Sequence, residues 1–235
     1  MIVSVYTHLF KKCCIAFLLL YAAGVQALSA AESDWPQWRH DAQRSNTTPH
    51  ELDEQLYVQW VRELGTPRPA WPKNQHKLHF DVSYEPVVAD GLVFVPSMVT
   101  DSISAYSTET GELKWRFHTD GPVRFAPAVY SGNVYAGSDD GCLYCLDAQT
   151  GEPVWKVRGA PSERKVIGNR RMISMRPVRG APVVYGSTVY FAAGIWPFMG
   201  ICIHAVDAET GKVIWTNSGS GASWTVQQHS SPAFA

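Results

Sequence analysis

Apolar and polar positions alternate along this chain in short runs separated by turn residues, and the runs recur. Pro86, Pro127 and Pro182 each open a unit with an apolar pair, Val87-Val88, Ala128-Val129 or Val183-Val184. A turn follows at Asp90-Gly91, Ser131-Gly132 or Gly186-Ser187, and then a Val with an aromatic behind it, Val93-Phe94, Val134-Tyr135 or Val189-Tyr190. Downstream, an eleven-residue phrase occurs three times: Ala105 to Trp115, Cys145 to Trp155 and Ala205 to Trp215. Each copy begins with a small residue, carries Thr-Gly in its middle and ends in Trp. Runs this short, bounded by Gly, Ser and Asp, predict strands joined by tight turns. Gly supplies the positive φ of the turn, and the preceding Asp or Ser bonds its backbone.

Each unit therefore predicts four antiparallel strands, and repetition on this scale sets the architecture. The expected fold class is all-β, a β-propeller of four-stranded antiparallel blades. The terminal Trp has a physical role in such a fold. A blade has two apolar faces, neither of which stays wet, so a large flat side chain must reach across to the next blade. Burying an indole removes roughly 150–250 Å² from water, at most about 4–6 kcal/mol. The small residue that opens the phrase leaves room for a neighbouring side chain. Trp115, Trp155 and Trp215 are thus expected to wedge each unit against the next.

The phrase resembles the tryptophan-docking motif of PQQ-like β-propellers, found in quinoprotein dehydrogenases and in BamB-like outer-membrane assembly proteins. Asp34-Trp35-Pro36-Gln37-Trp38-Arg39 is similar to the opening segment of secreted bacterial members, and the likeness runs from about Trp35 to the last residue. The resemblance implies seven or eight blades, of which about three are present here, so an N-terminal fragment is expected. Two functions come with it. One is a non-catalytic scaffold whose loops bind protein or carbohydrate in the cell envelope. The other is a dehydrogenase using pyrroloquinoline quinone (PQQ) and Ca²⁺, with an Asp base and the quinone lying against a disulfide between adjacent cysteines. The only adjacent pair, Cys13-Cys14, precedes the repeats, and no Asp is assignable as base. The expectation therefore favours the scaffold, with no cofactor, and with PQQ and Ca²⁺ only under the dehydrogenase reading. No catalytic, cofactor-binding or metal-binding residue is assigned.

Residues 1–31 read as a secretion signal: Lys11-Lys12, an apolar run from Cys13 to Val25, and the small residues Ser29-Ala30-Ala31 for cleavage. The apolar run falls short of the roughly 20 residues of a membrane span, and no Cys at the cleavage site offers a lipid anchor. Secreted or periplasmic localisation follows. Removing the signal leaves 18 basic and 21 acidic residues, a net charge of −3 that argues against a nucleic-acid partner. Three cysteines remain, Cys142, Cys145 and Cys202. Cys142 and Cys145 form a C-x-x-C, but no second such pair or trailing His accompanies it. Cys145 occupies the column of Ala105 and Ala205, and Cys142 that of Ser102 and Cys202, which marks small-residue packing rather than redox work.

The expected organisation is a signal over 1–31, an N-terminal segment over 32–80, and propeller repeats over 81–235. Blades are expected near 82–117, 123–157 and 178–217, with a fourth starting at 230. Leu56-Tyr-Val-Gln-Trp60-Val61 alternates like the last strand of a blade and is a candidate ring-closing strand. His76, His79 and Asp81 carry metal-ligating groups, but Cβ alternation would turn His76 and His79 apart on a strand, so a polar loop is the plainer reading. Between the second and third units an insertion holds Arg158, Arg164, Lys165, Arg170, Arg171, Arg176 and Arg179 against Glu163 alone. It reads either as a solvated loop or as a grip for an anionic ligand or acidic partner. Gly194 to Gly200, with Trp196 and Phe198, reads as packing over one propeller face or as contact with a sugar or protein.

Overall fold

The computed structural model describes residues 34–217 except 53, 73, 75–79, 169 and 197–199. The expected signal, Cys13-Cys14, His76, His79, Phe198 and the fourth blade start at 230 lie outside the described residues. Three four-stranded antiparallel sheets follow one another along the chain, each with its strands in sequence order. Blade 1 comprises β1 (Val87–Ala89), β2 (Leu92–Ser97), β3 (Ser102–Ser107) and β4 (Leu113–His118). Blade 2 comprises β5 (Ala128–Tyr130), β6 (Asn133–Gly137), β7 (Cys142–Asp147) and β8 (Pro153–Arg158). The hairpin β9 (Lys165–Gly168) and β10 (Arg171–Ser174) separates it from blade 3, made of β11 (Val183–Tyr185), β12 (Thr188–Ala193), β13 (Cys202–Asp207) and β14 (Val213–Asn217).

Within each blade the opening small residue of the phrase pairs with its closing Trp: Ala105 with Trp115, Cys145 with Trp155 and Ala205 with Trp215. A register shift follows each small residue, an irregularity that increases local twist. The turns use the chemistry that their residues suggest. Asp147 Oδ1 accepts hydrogen bonds from the Gln149 and Thr150 amides, and Asp207 Oδ1 accepts one from the Thr150-equivalent amide of Thr210.

Docking between blades is explicit. The Trp115 indole donates to Ala148 O in the turn of blade 2 (2.9 Å), and the Trp155 indole donates to Ala208 O in the turn of blade 3 (3.1 Å). Gly151 lies so close over the Trp115 ring that an added Cβ would meet its Cδ2 at 2.5 Å, and Gly211 stands over Trp155 in the same way, at 2.7 Å. The buried core forms two clusters. One joins blades 1 and 2 around Phe94, Ile103, Val134 and Tyr144, and the other joins blades 2 and 3 around Tyr135, Leu143, Val189 and Phe191.

Trp215 departs from the pattern expected for it. It keeps its contact with Tyr190 (6.2 Å between rings), but it is 44% exposed and has no docking turn among the described residues. A third docked indole comes instead from upstream. Trp60 donates to Thr108 O (2.7 Å) in the turn of blade 1, and Gly111 would place a Cβ 2.6 Å from its ring. Residues 56–61 around it take no ladder partner among the described residues, and Leu56, Tyr57, Val58 and Val61 are exposed.

The segment from Trp35 to Gln37 crosses the first strands of all three blades. Trp35 exchanges two backbone hydrogen bonds with Val88 (2.7 and 2.9 Å), and Pro36 O accepts one from the Val129 amide (2.8 Å). The Gln37 side chain accepts from the Val184 amide (2.8 Å) and donates to Val184 O (3.1 Å). Val88, Val129 and Val184 are equivalent positions, the second residue of each apolar pair. Arg44 holds the strap down by donating to Trp38 O and Ala181 O.

Candidate functional site

The connections entering the blades bring four charged side chains into one buried row. Asp81, just before blade 1, accepts from the Ala70 amide (2.8 Å) and from Arg124 Nη1 (2.7 Å). Arg124, between β4 and β5, also donates through Nε to Asp139 Oδ2 (2.6 Å) and through Nη1 to Arg68 O (2.8 Å). Asp139, in the turn between β6 and β7, accepts in addition from Arg179 Nε (3.1 Å) and Nη2 (3.2 Å). The order Asp81, Arg124, Asp139, Arg179 alternates in sign, and the four side chains are 0%, 3%, 1% and 8% exposed. Charges this deep persist only when paired and hydrogen-bonded.

The row is incomplete at both ends. Asp81 Oδ1 and Arg179 Nη1 are buried without a hydrogen-bond partner, as is Trp71 Nε1 nearby. Arg179 and Trp71 line one cavity of about 390 Å³, whose other walls include Val166, Ile173, Met175 and Trp196. Trp71 and Trp196 meet edge to face at 5.4 Å. The cavity is bounded by the 70–72 segment, the β9–β10 hairpin and the β12–β13 connection.

Most of the basic insertion is structured. Arg171 pairs with Asp101, Arg158 with Glu163, Arg179 with Asp139, and Arg176 donates to Gly200 O. Burial pushes the Asp101 carboxyl above its ordinary value, against the opposing pull of Arg171. Arg164, Lys165 and Arg170 remain exposed. Of the residues weighed for metal, Asp81 is committed to Arg124, and no group of three His, Cys, Asp or Glu side chains at metal spacing occurs among the described residues. Cys142, Cys145 and Cys202 are buried, and burial pushes the Cys142 thiol up to about 11 and the Cys145 thiol up to about 12. The ion row escapes sequence reading because its members are 15 to 43 residues apart. Each belongs to a different connection, where no periodicity operates.

Four-stranded sheets linked by indole-on-glycine docking define a β-propeller repeat protein. The family profile described as Outer membrane protein assembly factor BamB matches residues 22–235, and the chain belongs to that family of PQQ-type propellers. The quinohemoprotein alcohol dehydrogenase of Comamonas testosteroni is 30% identical over 203 residues, covering 81% of this chain and 26% of that protein. Its crystal structure superimposes with a TM-score of 0.59 at 26% identity, over 81% of this chain and 28% of that one. The dehydrogenase subunit of a quinone alcohol dehydrogenase from Gluconacetobacter polyoxogenes is 34% identical over 143 residues, covering 55% of this chain and 19% of that protein. A europium-containing methanol dehydrogenase shares the fold, with a TM-score of 0.55 at 18% identity. The chain thus spans about a fifth to a quarter of the length of these curated relatives.

PQQ is a planar tricarboxylate. The buried row sums to zero charge, and among the described residues lining the cavity Arg179 is the single cation, short of the charge of three carboxylates. The described lining therefore does not match the three carboxylates of the quinone.

Proposed function

We propose that the chain contributes blades to a quinoprotein-type alcohol dehydrogenase of the cell envelope that uses PQQ with Ca²⁺. The observation carrying this reading is the 30% identity to the Comamonas testosteroni enzyme across four-fifths of the chain. It displaces the scaffold that the sequence alone favours. The chemistry such a quinone supplies when bound is acceptance of two electrons from an alcohol carbon. The share of this chain is a rigid frame of docked blades. Envelope localisation is supported by the apolar leader over 1–31 and by the assembly-factor description of the family.

That family description also supports a second reading, a non-catalytic scaffold that binds envelope protein or carbohydrate. One experiment separates the two. The protein is incubated with PQQ and Ca²⁺, freed of unbound quinone, and assayed for quinone absorbance and for dye reduction with primary alcohols. Stoichiometric quinone with turnover supports the dehydrogenase. Absence of both leaves the scaffold.

A further inference from the structure

We propose that the cleft between the 63–65 segment and blade 1 is a site for free phosphate, held by Arg116 and a set of hydroxyl groups. It shares no lining residue with the cavity at Trp71, and binding there does not depend on the dehydrogenase reading.

A difference between successive blades points to it. In blade 2, Lys156 pairs across β7 and β8 with Tyr144, and its ammonium lies 4.5 Å over that ring, 3.0 Å from Asp120 and 3.5 Å from Asp140. Its charge is met from within the protein. Arg116 pairs with Ser104 at the same register of blade 1. There Ser104 replaces the Tyr ring, and Thr100 precedes β3 where Asp140 precedes β7. Gly65 follows the docked Trp60 at the spacing at which Asp120 follows Trp115. A ring and two carboxylates thus give way to small neutral residues, and Arg116 keeps only hydroxyl partners among the described residues. A cleft of about 120 Å³ lies in their place, with Gly65, Thr100, Ser104 and Arg116 in its lining.

The hydroxyl groups there are set as donors. Ser104 Oγ accepts from Arg116 Nε (2.9 Å), Tyr106 Oη accepts from Arg116 Nη2 (3.5 Å), and Ser97 Oγ accepts from the Thr100 amide (3.1 Å) and hydroxyl (2.8 Å). Each oxygen is used as an acceptor, so its own proton is left to give, and all three line the cleft. Ser104 and Tyr106 are 4% and 7% exposed; polar groups this deep are normally satisfied, and the cleft is where an acceptor reaches them. Arg116 Nη1 adds a cationic donor with no partner among the described residues. Glu63 is the single carboxylate on the described lining. It can accept the proton that phosphate keeps near neutral pH and sulfate lacks, which selects phosphate among small oxyanions. The cleft is smaller than the roughly 300–1,000 Å³ of organic-ligand sites, which limits the occupant to an ion.

The test is isothermal titration of the full chain with inorganic phosphate, sulfate and glycerol 3-phosphate, at constant ionic strength in a phosphate-free buffer. Phosphate should bind saturably, one ion per chain. Sulfate should bind at least about fivefold more weakly for want of a proton to share, and Glu63→Gln should bring the two ions within about twofold. Glycerol 3-phosphate should also be weaker, because its carbon body does not fit; equal or tighter binding would overturn the free ion as occupant. Arg116→Gln should weaken phosphate about tenfold, the low end for a charge-assisted hydrogen bond because the arginine is exposed. Tyr106→Phe removes a hydroxyl alone and should cost about 2- to 12-fold, so it decides the matter if Arg116→Gln fails to fold. Lys156→Gln, at the matching position of blade 2, should leave phosphate affinity unchanged. No saturable phosphate binding, sulfate as tight as phosphate, unchanged binding in either folded blade 1 variant, or an equal loss in Lys156→Gln would overturn the site.

Discussion

Adding one methyl group at Gly151 should separate the packing of the docked indole from the backbone demand of its turn. Gly151 has φ +75°, and its Cβ position lies 2.5, 2.6 and 2.9 Å from three atoms of the Trp115 ring. Gly132 has φ +76° and nothing within 4 Å of its Cβ position. Both Gly→Ala changes bear the same left-handed backbone strain, about 1–2 kcal/mol. Only Gly151→Ala also forces the indole back by roughly 1 Å to reach an ordinary carbon contact of about 3.5–4.0 Å. That overpacking costs about 1–3 kcal/mol, and losing the Trp115 bond to Ala148 O adds about 0.5–1.5 kcal/mol. Urea unfolding followed by circular dichroism should therefore place Gly132→Ala about 1–2 kcal/mol below the wild type and Gly151→Ala about 2.5–6.5 kcal/mol below it. In a Trp115→Ala background the two glycine changes should cost the same, because the ring that distinguishes them is gone. Equal losses in the wild-type background would refute indole docking as the source of blade cohesion.

Other outcomes follow from the buried groups. Arg124→Met strands Asp81 with a single amide donor and should destabilise by about 3–5 kcal/mol in the same unfolding assay; a loss under 1 kcal/mol would mean that the ion row is incidental. Burial holds the His204 imidazole below its ordinary value, its bond to Gly159 O pulling weakly the other way. Its contribution to stability is thus fully present above the unfolded pKa of about 6.5 and is lost as pH falls through the folded value. Thermal midpoints should drop between pH 7 and pH 5 more steeply in the wild type than in His204→Gln. Burial also raises Cys142 to about 11 and Cys145 to about 12, so at pH 8 mass spectrometry should find both unlabelled by a thiol reagent until the chain is unfolded.

Strands, turns and two of the docking indoles were legible because each rests on a local rule repeated three times. Alternation places the apolar pairs inside, Thr-Gly supplies the turn, and a small residue faces the Trp. Trp60 was visible only as the end of an alternating run. That it docks on Gly111 is a relation across 51 positions and leaves no periodic trace. The basic insertion misleads for a related reason. Composition suggests a solvated loop, yet Arg171 and Arg179 find Asp101 and Asp139 in earlier blades, and those partners are fixed by how the sheets meet. The candidate cavity is further from reach still. Trp71, Arg179 and Trp196 come from separate connections and Ile173 from β10, and nothing in their spacing announces that they meet around one cavity.

The strap at Trp35 to Gln37 gives the three sheets a shared anchor. In a linear repeat array each unit answers only to its neighbours, and damage stays local. Here three consecutive residues grip equivalent valines in successive blades, at 2.7–2.9, 2.8 and 2.8–3.1 Å. Proteolytic loss of a few residues at that point would withdraw support from every blade at once. A stretch shorter than one strand should thereby make the repeats melt together instead of fraying one by one.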